Sequence, residues 1–216
     1  MSVEQLRWQM DYLKRRGYEA LTLREAAERL AEGRPLPARG VVLTFDDGYR
    51  NNLENGLPVL RDFDFPATLF VVVNAVGRDN FWHDPATETR LPMLRWEELA
   101  ALRDAGWDIG SHTLNHPRLT RLSPEAAKTE IVESRRILAE KLGAAPVSFA
   151  HPYGDGADSL ELRRIIQEAG YKTASSVHRG KGDLVRAPFC LKRIFVRGDD
   201  TRWDFHLHLT RGQARF

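Results

Sequence analysis

The stretch Val41-Val42-Leu43-Thr44-Phe45-Asp46-Asp47-Gly48 decides the fold, because a strand and a polar turn meet in it. Its first five residues are apolar or β-branched and do not alternate with polar residues, which is typical of a strand buried on both faces. Strands of this kind belong to parallel sheets, whose connecting helices pack on the two faces. The stretch therefore predicts an α/β fold in which Asp46 and Asp47 follow the carboxyl end of a strand.

Segments of the same character recur along the chain, and helical segments separate them. The further strands that the pattern predicts are Ala67–Val73, Trp107–Ser111, Val147–Ala150, Tyr171–Val177 and Leu191–Val196. The predicted helices are Val3–Arg16, Thr22–Glu32, Asn52–Asp62, Trp96–Ala105, a long helix that opens at Ser123-Pro124, Asp158–Ala169 and a last one after Asp200. This alternation indicates a barrel or a doubly wound sheet, and in both folds functional side chains gather at the carboxyl ends of the strands.

Length and composition fit a single domain, with a helical segment at residues 1–39 ahead of the first predicted strand. The chain has 216 residues, and its 32 basic and 30 acidic residues are interspersed along the helices. This mixing is typical of solvated helix faces and speaks against a nucleic-acid partner. No segment has the ~18 apolar residues of a membrane span, and no apolar signal core follows Met1. We therefore expect a cytoplasmic protein from the sequence as written, or a periplasmic or extracellular one if a signal has been removed.

The chain contains a single cysteine, Cys190. A single cysteine excludes an internal disulfide and a thiolate cluster. We therefore expect any metal ligands to be histidine, aspartate or glutamate side chains.

The adjacent carboxylates Asp46 and Asp47 repel each other, so they need a cation, a hydrogen-bond network or solvent. Aspartate and glycine also favour turns, and a plain turn is the alternative interpretation. The segment Ser111–Pro117 follows another predicted strand and carries His112 and His116. Histidines four residues apart reach one cation from one face of a helical turn, although a surface histidine pair fits the same spacing.

The two segments strengthen each other, because the parallel fold places both on one rim. Two imidazoles and one carboxylate would bind a divalent ion and leave coordination positions open for water and substrate. The other carboxylate remains to act as a base, since neighbouring side chains on an extended backbone diverge.

A third polar segment, Phe149–Gly154, also follows a predicted strand. Pro152 fixes its own φ angle, and Gly154 permits close approach of the backbone. This conformation would hold Tyr153 with its N–H pointing into the site. An ordinary proline-containing turn is the alternative.

The three segments resemble the successive motifs of the polysaccharide deacetylase family, also called the NodB-homology domain or carbohydrate esterase family 4. Its patterns Thr-Phe-Asp-Asp-Gly, His-Ser/Thr-x-x-His-Pro and Pro-Tyr-Gly occur here in order, and the similarity extends over residues 40–200. The Phe-Ala-x-Pro-Tyr-Gly form of the third motif looks like the branch that includes poly-N-acetylglucosamine deacetylases.

The resemblance implies an irregular, TIM-like (β/α)7 barrel that removes N-acetyl groups from a sugar with the help of a divalent metal ion. Zinc is the expected ion, with cobalt and nickel as alternatives. By position in the motifs, Asp46 is the general base, whereas Asp47, His112 and His116 are the metal ligands. The backbone N–H of Tyr153 helps to bind the oxyanion.

The chain departs from the family pattern in its third motif. Many members have arginine two residues before the proline, where it holds the catalytic aspartate, but this position is Ala150 here. Asp46 thereby loses a cation that would favour its charged form, so we expect its pKa to be higher than in members that keep the arginine, unless another cation takes that place. His151 replaces the aromatic residue that is usual in the poly-N-acetylglucosamine branch.

The general acid of the family is the histidine of a late Leu-x-His motif, which has no clear match in this chain. His178, His206 and His208 are the candidates, and a surface or helix-packing role is the alternative for each. The segment Trp82-His83-Asp84 lies in a long polar loop and fits either the wall of a cleft or an aromatic anchor for the loop.

The predicted function is hydrolysis of N-acetyl groups on an amino-sugar polymer that contains N-acetylglucosamine. The predicted partner is an N-acetylated oligo- or polysaccharide. One alternative is an amidase on the same fold that acts on a small or lipid-linked amide. Another, suggested by Ala150 and by the missing late histidine, is a non-catalytic sugar-binding domain.

Overall fold

Short parallel strands form the centre of the computed structural model, which describes residues 1–214. The strands are β1 (Glu19–Leu21), β2 (Gly40–Val42), β3 (Thr44–Phe45), β4 (Thr68–Val71), β5 (Asp108–Ser111), β6 (Ser148–Ala150), β7 (Thr173–Arg179) and β8 (Leu191–Arg193). β1 pairs with β2, and β3 to β8 form one sheet in chain order. All of these ladders are parallel. The predicted α/β class with a parallel sheet is confirmed.

The predicted strand Val41–Phe45 is divided between two ladders at Leu43. β2 lies beside β1 and β3 lies beside β4, and the N–H of Thr68 donates a hydrogen bond of 2.9 Å to the Leu43 carbonyl. One extended segment thereby links β1 to the larger sheet. With β2 and β3 taken as one strand, the eight strands occupy seven positions in chain order, as in the predicted (β/α)7 type. Residues 1–39, predicted to be helical, also contain β1.

Helices connect the strands, and one further helix, α1, precedes β1. Their bounds are α1 (Val3–Arg15), α2 (Leu23–Ala31), α3 (Leu57–Arg61), α4 (Trp96–Asp104), α5 (Pro124–Leu142), α6 (Leu160–Glu168) and α7 (Arg202–Arg211). The side chains of Thr22 and Ser123 accept hydrogen bonds from N–H groups in the first turns of α2 and α5, so these predicted helix starts are confirmed. Ser159 caps α6, one residue after the predicted Asp158. Within residues 1–214, no helix has the length and apolarity that a membrane crossing requires.

The main hydrophobic core lies between the sheet and helices α1, α3, α4, α5 and α7, and its members range from Leu6 to Phe205. Leu60, Leu69 and Leu99 in this core are fully buried. A buried leucine stabilises a fold by about 1.5–3 kcal/mol. The ends of the strands are therefore held on a rigid base.

Close packing also fixes the strands that carry the polar segments. A Cβ atom on Gly110 in β5 would lie 2.6 Å from the Phe70 ring and 2.6 Å from the Ser148 hydroxyl. Only glycine fits such a contact, so β4, β5 and β6 stay close together two residues before His112.

Candidate active site

Asp47, His112 and His116 converge at the carboxyl ends of β3 and β5. Asp47 Oδ1 lies 3.5 Å from His112 Nε2 and 3.4 Å from His116 Nε2, and the two Nε2 atoms are 3.2 Å apart. In a tetrahedral shell with bonds of about 2.0–2.2 Å, neighbouring ligand atoms are roughly 3.3–3.6 Å apart. The three ligand atoms are therefore spaced for one divalent ion, and we call these residues the triad.

The protonation states of the triad side chains also suit a bound cation. The Nδ1–H of His112 donates a hydrogen bond of 2.8 Å to the Ala150 carbonyl, which leaves its Nε2 lone pair facing the other two ligands. Burial lowers the pKa of His116 to about 3, with the His112 charge adding to the effect, so its imidazole is neutral. Burial raises the pKa of Asp47, and the charge of Asp46 adds to this against the opposing effect of His112. Three acceptor atoms that face one another in this way favour a bound cation.

The two triad histidines lie in an irregular turn, so the expected helical turn is wrong. The backbone of Thr113 and His116 is left-handed, with φ angles of 69° and 59°. Glu130 of α5 accepts hydrogen bonds from the N–H groups of Leu114 and Asn115, at 2.8 and 2.9 Å. Glu130 belongs to none of the three motifs, and its only signal in the sequence is a carboxylate on the buried face of a helix. Its role is to hold the turn that aims both imidazoles at Asp47.

Asp46 has a cationic partner from another strand, which is the condition under which Ala150 does not raise its pKa. Arg193 of β8 donates two hydrogen bonds to the Asp46 carboxylate, of 2.7 and 2.8 Å. Burial alone would raise the pKa of Asp46, but the charge of Arg193, with smaller effects of His112 and His116, holds this pKa below its ordinary value. Asp46 is therefore ionised and oriented at neutral pH.

The pair of Asp46 and Arg193 also shows how the sheet curves. β3 and β8 are the outermost strands of the six-stranded sheet, yet a side chain of β8 reaches the residue that follows β3. The Nε of Arg193 donates to the Ser176 carbonyl at 2.8 Å, which fixes the guanidinium in place. The sheet curls enough for its two edges to meet through this ion pair. The signal in the sequence is a lone arginine within the predicted strand Leu191–Val196.

The third motif forms a short 3₁₀ turn, Pro152–Gly154. Tyr153 has a left-handed backbone with φ 57° and ψ 8°, and a Cβ on Gly154 would lie 2.2 Å from the Val177 side chain. The turn therefore requires glycine at this position, as the sequence indicates. The ring of Tyr153 lies 4.5 Å from the His116 ring and 4.4 Å from the Arg118 guanidinium, measured to ring centroids. The motif thus lines the approach to the triad.

Backbone strain is concentrated around these residues. Within residues 1–214, the non-glycine residues with positive φ are Asp47, Asp64, Thr113, His116 and Tyr153. Four of the five belong to the candidate site, and each such conformation costs about 1–3 kcal/mol. A fold that retains this strain at one rim holds its ligands in a preset geometry.

The loop of residues 79–92 brings a further histidine to the rim. The ring of Trp82 packs on the ring of His116, with centroids 4.9 Å apart. His83 Nε2 lies 3.4 Å from the Tyr49 hydroxyl, and its Nδ1 pairs with the Glu88 carboxylate. Burial and the charge of Asp47 raise the pKa of Tyr49 to about 12. Trp82 also packs against a buried cluster that includes Val72 and Met93, so the loop both lines the cleft and is anchored by this aromatic ring.

The three late histidines have partners elsewhere in the fold. His178 pairs with Asp158 at 2.8 Å. His206 hydrogen-bonds to the Tyr12 hydroxyl at 2.7 Å, and His208 pairs with Asp200 at 3.1 Å. In the part of the chain that the structure describes, none of these bonds links them to the triad.

Comparisons with known proteins find polysaccharide deacetylases. A family model described as polysaccharide deacetylase matches residues 33–174. The poly-β-1,6-N-acetyl-D-glucosamine N-deacetylase of Staphylococcus aureus is 27% identical over an alignment of 221 positions, which covers 95% of this chain and 73% of that protein. YxkH of Bacillus subtilis, named for the same family, is 25% identical over 187 positions, or 87% of this chain. The chain spans only 62% of the length of YxkH.

Two solved structures are similar in fold. IcaB from Ammonifex degensii matches with a TM-score of 0.80 and 24% identity, over 99% of this chain and 90% of that one. The deacetylase PplD of Streptococcus pyogenes, solved in complex with acetate, matches with a TM-score of 0.81 and 21% identity, over 98% and 86% of the two chains. At these identities the likeness concerns the fold, and it agrees with the predicted barrel.

Proposed function

This chain belongs to the polysaccharide deacetylase family, and we propose that it is a metal-dependent hydrolase that removes N-acetyl groups from a polysaccharide containing N-acetylglucosamine. One observation carries the proposal. A metal-ready triad, with ligand atoms 3.2–3.5 Å apart, lies directly beside an ionised aspartate that Arg193 holds from the far edge of the sheet.

Asp47, His112 and His116 are proposed to hold the divalent ion, zinc in the first place and cobalt or nickel as alternatives. Nitrogen and oxygen donors of this kind suit all three metals. When bound there, the ion would supply Lewis-acid chemistry, namely polarisation of the acetyl carbonyl and a lower pKa of the attacking water.

Asp46 is proposed as the base that takes the proton from this water. Arg193 occupies both carboxylate oxygens, which keeps Asp46 charged and fixes its direction. The resulting hydroxide attacks the acetyl carbon, the carbon–nitrogen bond breaks, and acetate and a free amine leave. A positioned base accelerates such a step by about 10²–10⁴-fold.

The Tyr153 backbone N–H is proposed to donate a hydrogen bond to the oxyanion that forms on the acetyl carbonyl. The support is the left-handed backbone of Tyr153, which the Pro152–Gly154 turn maintains next to His116. A donor of this kind contributes about 10²–10³-fold in rate.

We propose His83 as the group that returns a proton to the leaving amine. Glu88 and Tyr49 orient its ring, and its charge acts on Asp47. The late histidines are held by partners elsewhere in the fold, so His83 is the better-placed donor.

The sugar-binding alternative loses one of its two supports, because Arg193 supplies the cation that the family arginine at position 150 would have provided. The decisive experiment is acetate release by the metal-loaded protein from N-acetylglucosamine oligomers and from small amides. Release from the oligomers supports the proposal. Release from small amides alone would favour the amidase, and oligomer binding without any release would favour a sugar-binding domain. A variant with His112→Ala and His116→Ala is the control for metal dependence.

A further inference from the structure

A second group of metal-ligating side chains lies outside the triad. One ligand atom each of Asp158, His178 and Cys190 lies within 4.8 Å of the others. His178 Nε2 is 2.8 Å from Asp158 Oδ2, and Cys190 Sγ is 4.0 Å from Asp158 Oδ1. We call these residues the thiol cluster.

The thiol cluster joins three separate segments of the fold. Asp158 follows the third-motif turn, His178 lies near the end of β7, and Cys190 directly precedes β8. The register between β7 and β8 shifts between Ser175 and Arg179, and His178 lies within this irregular part of the ladder.

Hydrogen bonds hold this irregular part of β7 against β8. The Ser176 hydroxyl donates to the Leu191 carbonyl at 3.0 Å and accepts from the N–H of His178 at 3.1 Å. His178 and Leu191, the residue that follows Cys190, are thereby fixed relative to each other.

The chemistry of the three donors selects a class of ion. A thiol, an imidazole and a carboxylate suit zinc and similar borderline ions, whereas magnesium and calcium prefer oxygen donors alone. Three protein ligands leave a fourth position for water. His178 and Cys190 are half-buried and Asp158 is exposed, so an ion has access from solvent. Arg163 lies 3.4 Å from Asp158 Oδ1, and this ion pair would break when an ion binds to that oxygen.

We propose that Asp158, His178 and Cys190 form a second divalent-cation site that takes zinc or a similar thiophilic ion and is separate from the triad. In this site Cys190 would be a ligand beside the histidine and aspartate side chains that the sequence predicts. A bound ion would tie the segment after Tyr153 to the start of β8, three residues before Arg193. The proposal stands whether or not the chain is a deacetylase.

Cobalt titration of the metal-free protein tests this directly, because a cobalt–thiolate bond gives a near-ultraviolet charge-transfer band that nitrogen and oxygen ligands do not give. We expect two equivalents of cobalt per chain and the band in the parent protein. Cys190→Ser should lose the band and one equivalent. The variant with His112→Ala and His116→Ala should keep the band and lose the other equivalent.

Controls decide between this site and simpler explanations. His206→Gln changes a histidine that is bonded to Tyr12, and it should retain both equivalents and the band. X-ray absorption of the zinc-loaded parent should show sulfur at about 2.3 Å, a readout that does not depend on the folding of any variant. Absence of zinc–sulfur scattering and of the band would overturn the proposal. A band at one cobalt per two chains would also overturn it, since Cys190 would then bridge two copies.

Discussion

The triad and the thiol cluster are both groups of three ligating side chains near the same rim, but they are built differently. The triad histidines are only 2% and 7% exposed, and Asp47 and His116 have a strained backbone. The thiol cluster is open to solvent, and within residues 1–214 its members are absent from the positive-φ residues. Its separations are uneven, with 2.8 Å from His178 Nε2 to Asp158 Oδ2 and 4.0 Å from Cys190 Sγ to Asp158 Oδ1, against 3.2–3.5 Å in the triad.

The difference shows what the strain at the rim accomplishes. The triad needs little movement to take up an ion, because its backbone already holds the ligands at coordination distance. The thiol cluster must draw in Cys190 and release Arg163 first. We therefore expect tight binding at the triad and weaker, adjustable binding at the thiol cluster.

The largest expected effect separates the two groups by activity. His112→Ala combined with His116→Ala should abolish acetate release, because the remaining carboxylate cannot hold the ion alone. Cys190→Ser should release acetate at the parental rate. Metal analysis and acetate assays on both variants check this, and stoichiometric metal at the triad of the double variant would remove the proposed site.

A second comparison uses the two histidine–carboxylate pairs. His83 pairs with Glu88 beside the triad, whereas His178 pairs with Asp158 in the thiol cluster. His83→Gln should lower kcat by about 10²-fold if this ring supplies the leaving-group proton, and His178→Gln should leave kcat near the parental value. If the two changes lower kcat equally, His83 is no better supported as the general acid than His178.

Arg193 lies between the two groups, and its loss should have an intermediate effect. Arg193→Met removes the charge that lowers the pKa of Asp46, so this pKa should rise and the acid limb of kcat/KM should move to higher pH. Loss of a partner that orients a site residue typically costs about 10–100-fold. Arg186→Met, on an exposed side chain, is the matched control. An unshifted acid limb in Arg193→Met would show that this ion pair does not set the state of Asp46.

The smallest expected effect is on the pH dependence of the free energy of unfolding, and it involves His151. Burial lowers the pKa of His151 from 6.5 to about 4, so the folded chain keeps this ring neutral while the unfolded chain takes up a proton. The neutral ring of His151 therefore makes its full contribution to stability above about pH 6.5. As the pH falls to about 4, protonation of the unfolded chain lowers the free energy of unfolding by roughly 3 kcal/mol. His151→Phe should flatten the fall in the free energy of unfolding between these pH values, as measured by urea denaturation. A parallel fall in both proteins would contradict this assignment.

The sequence predicts the fold and the triad well, because their signals are local. Continuous apolar runs mark the strands, and Asp47, His112 and His116 stand directly after two of them. β1 was missed because three residues do not make a recognisable apolar run. The contacts that complete the site are not local, since Arg193 is 147 positions from Asp46 and meets it only because the sheet curls. The left-handed turn at Thr113 was also missed, because spacing alone does not distinguish it from a helical turn.

The most direct test of the account measures metal content and acetate release on the same samples of Asp46→Asn and Asp47→Asn. Both changes keep the size of the side chain and remove its charge. We predict that Asp46→Asn retains metal but loses about 10²–10⁴ in kcat, whereas Asp47→Asn loses metal and regains part of its activity in excess ion. Loss of metal from Asp46→Asn with retention in Asp47→Asn would reverse the two roles, and full activity in both variants would contradict the account.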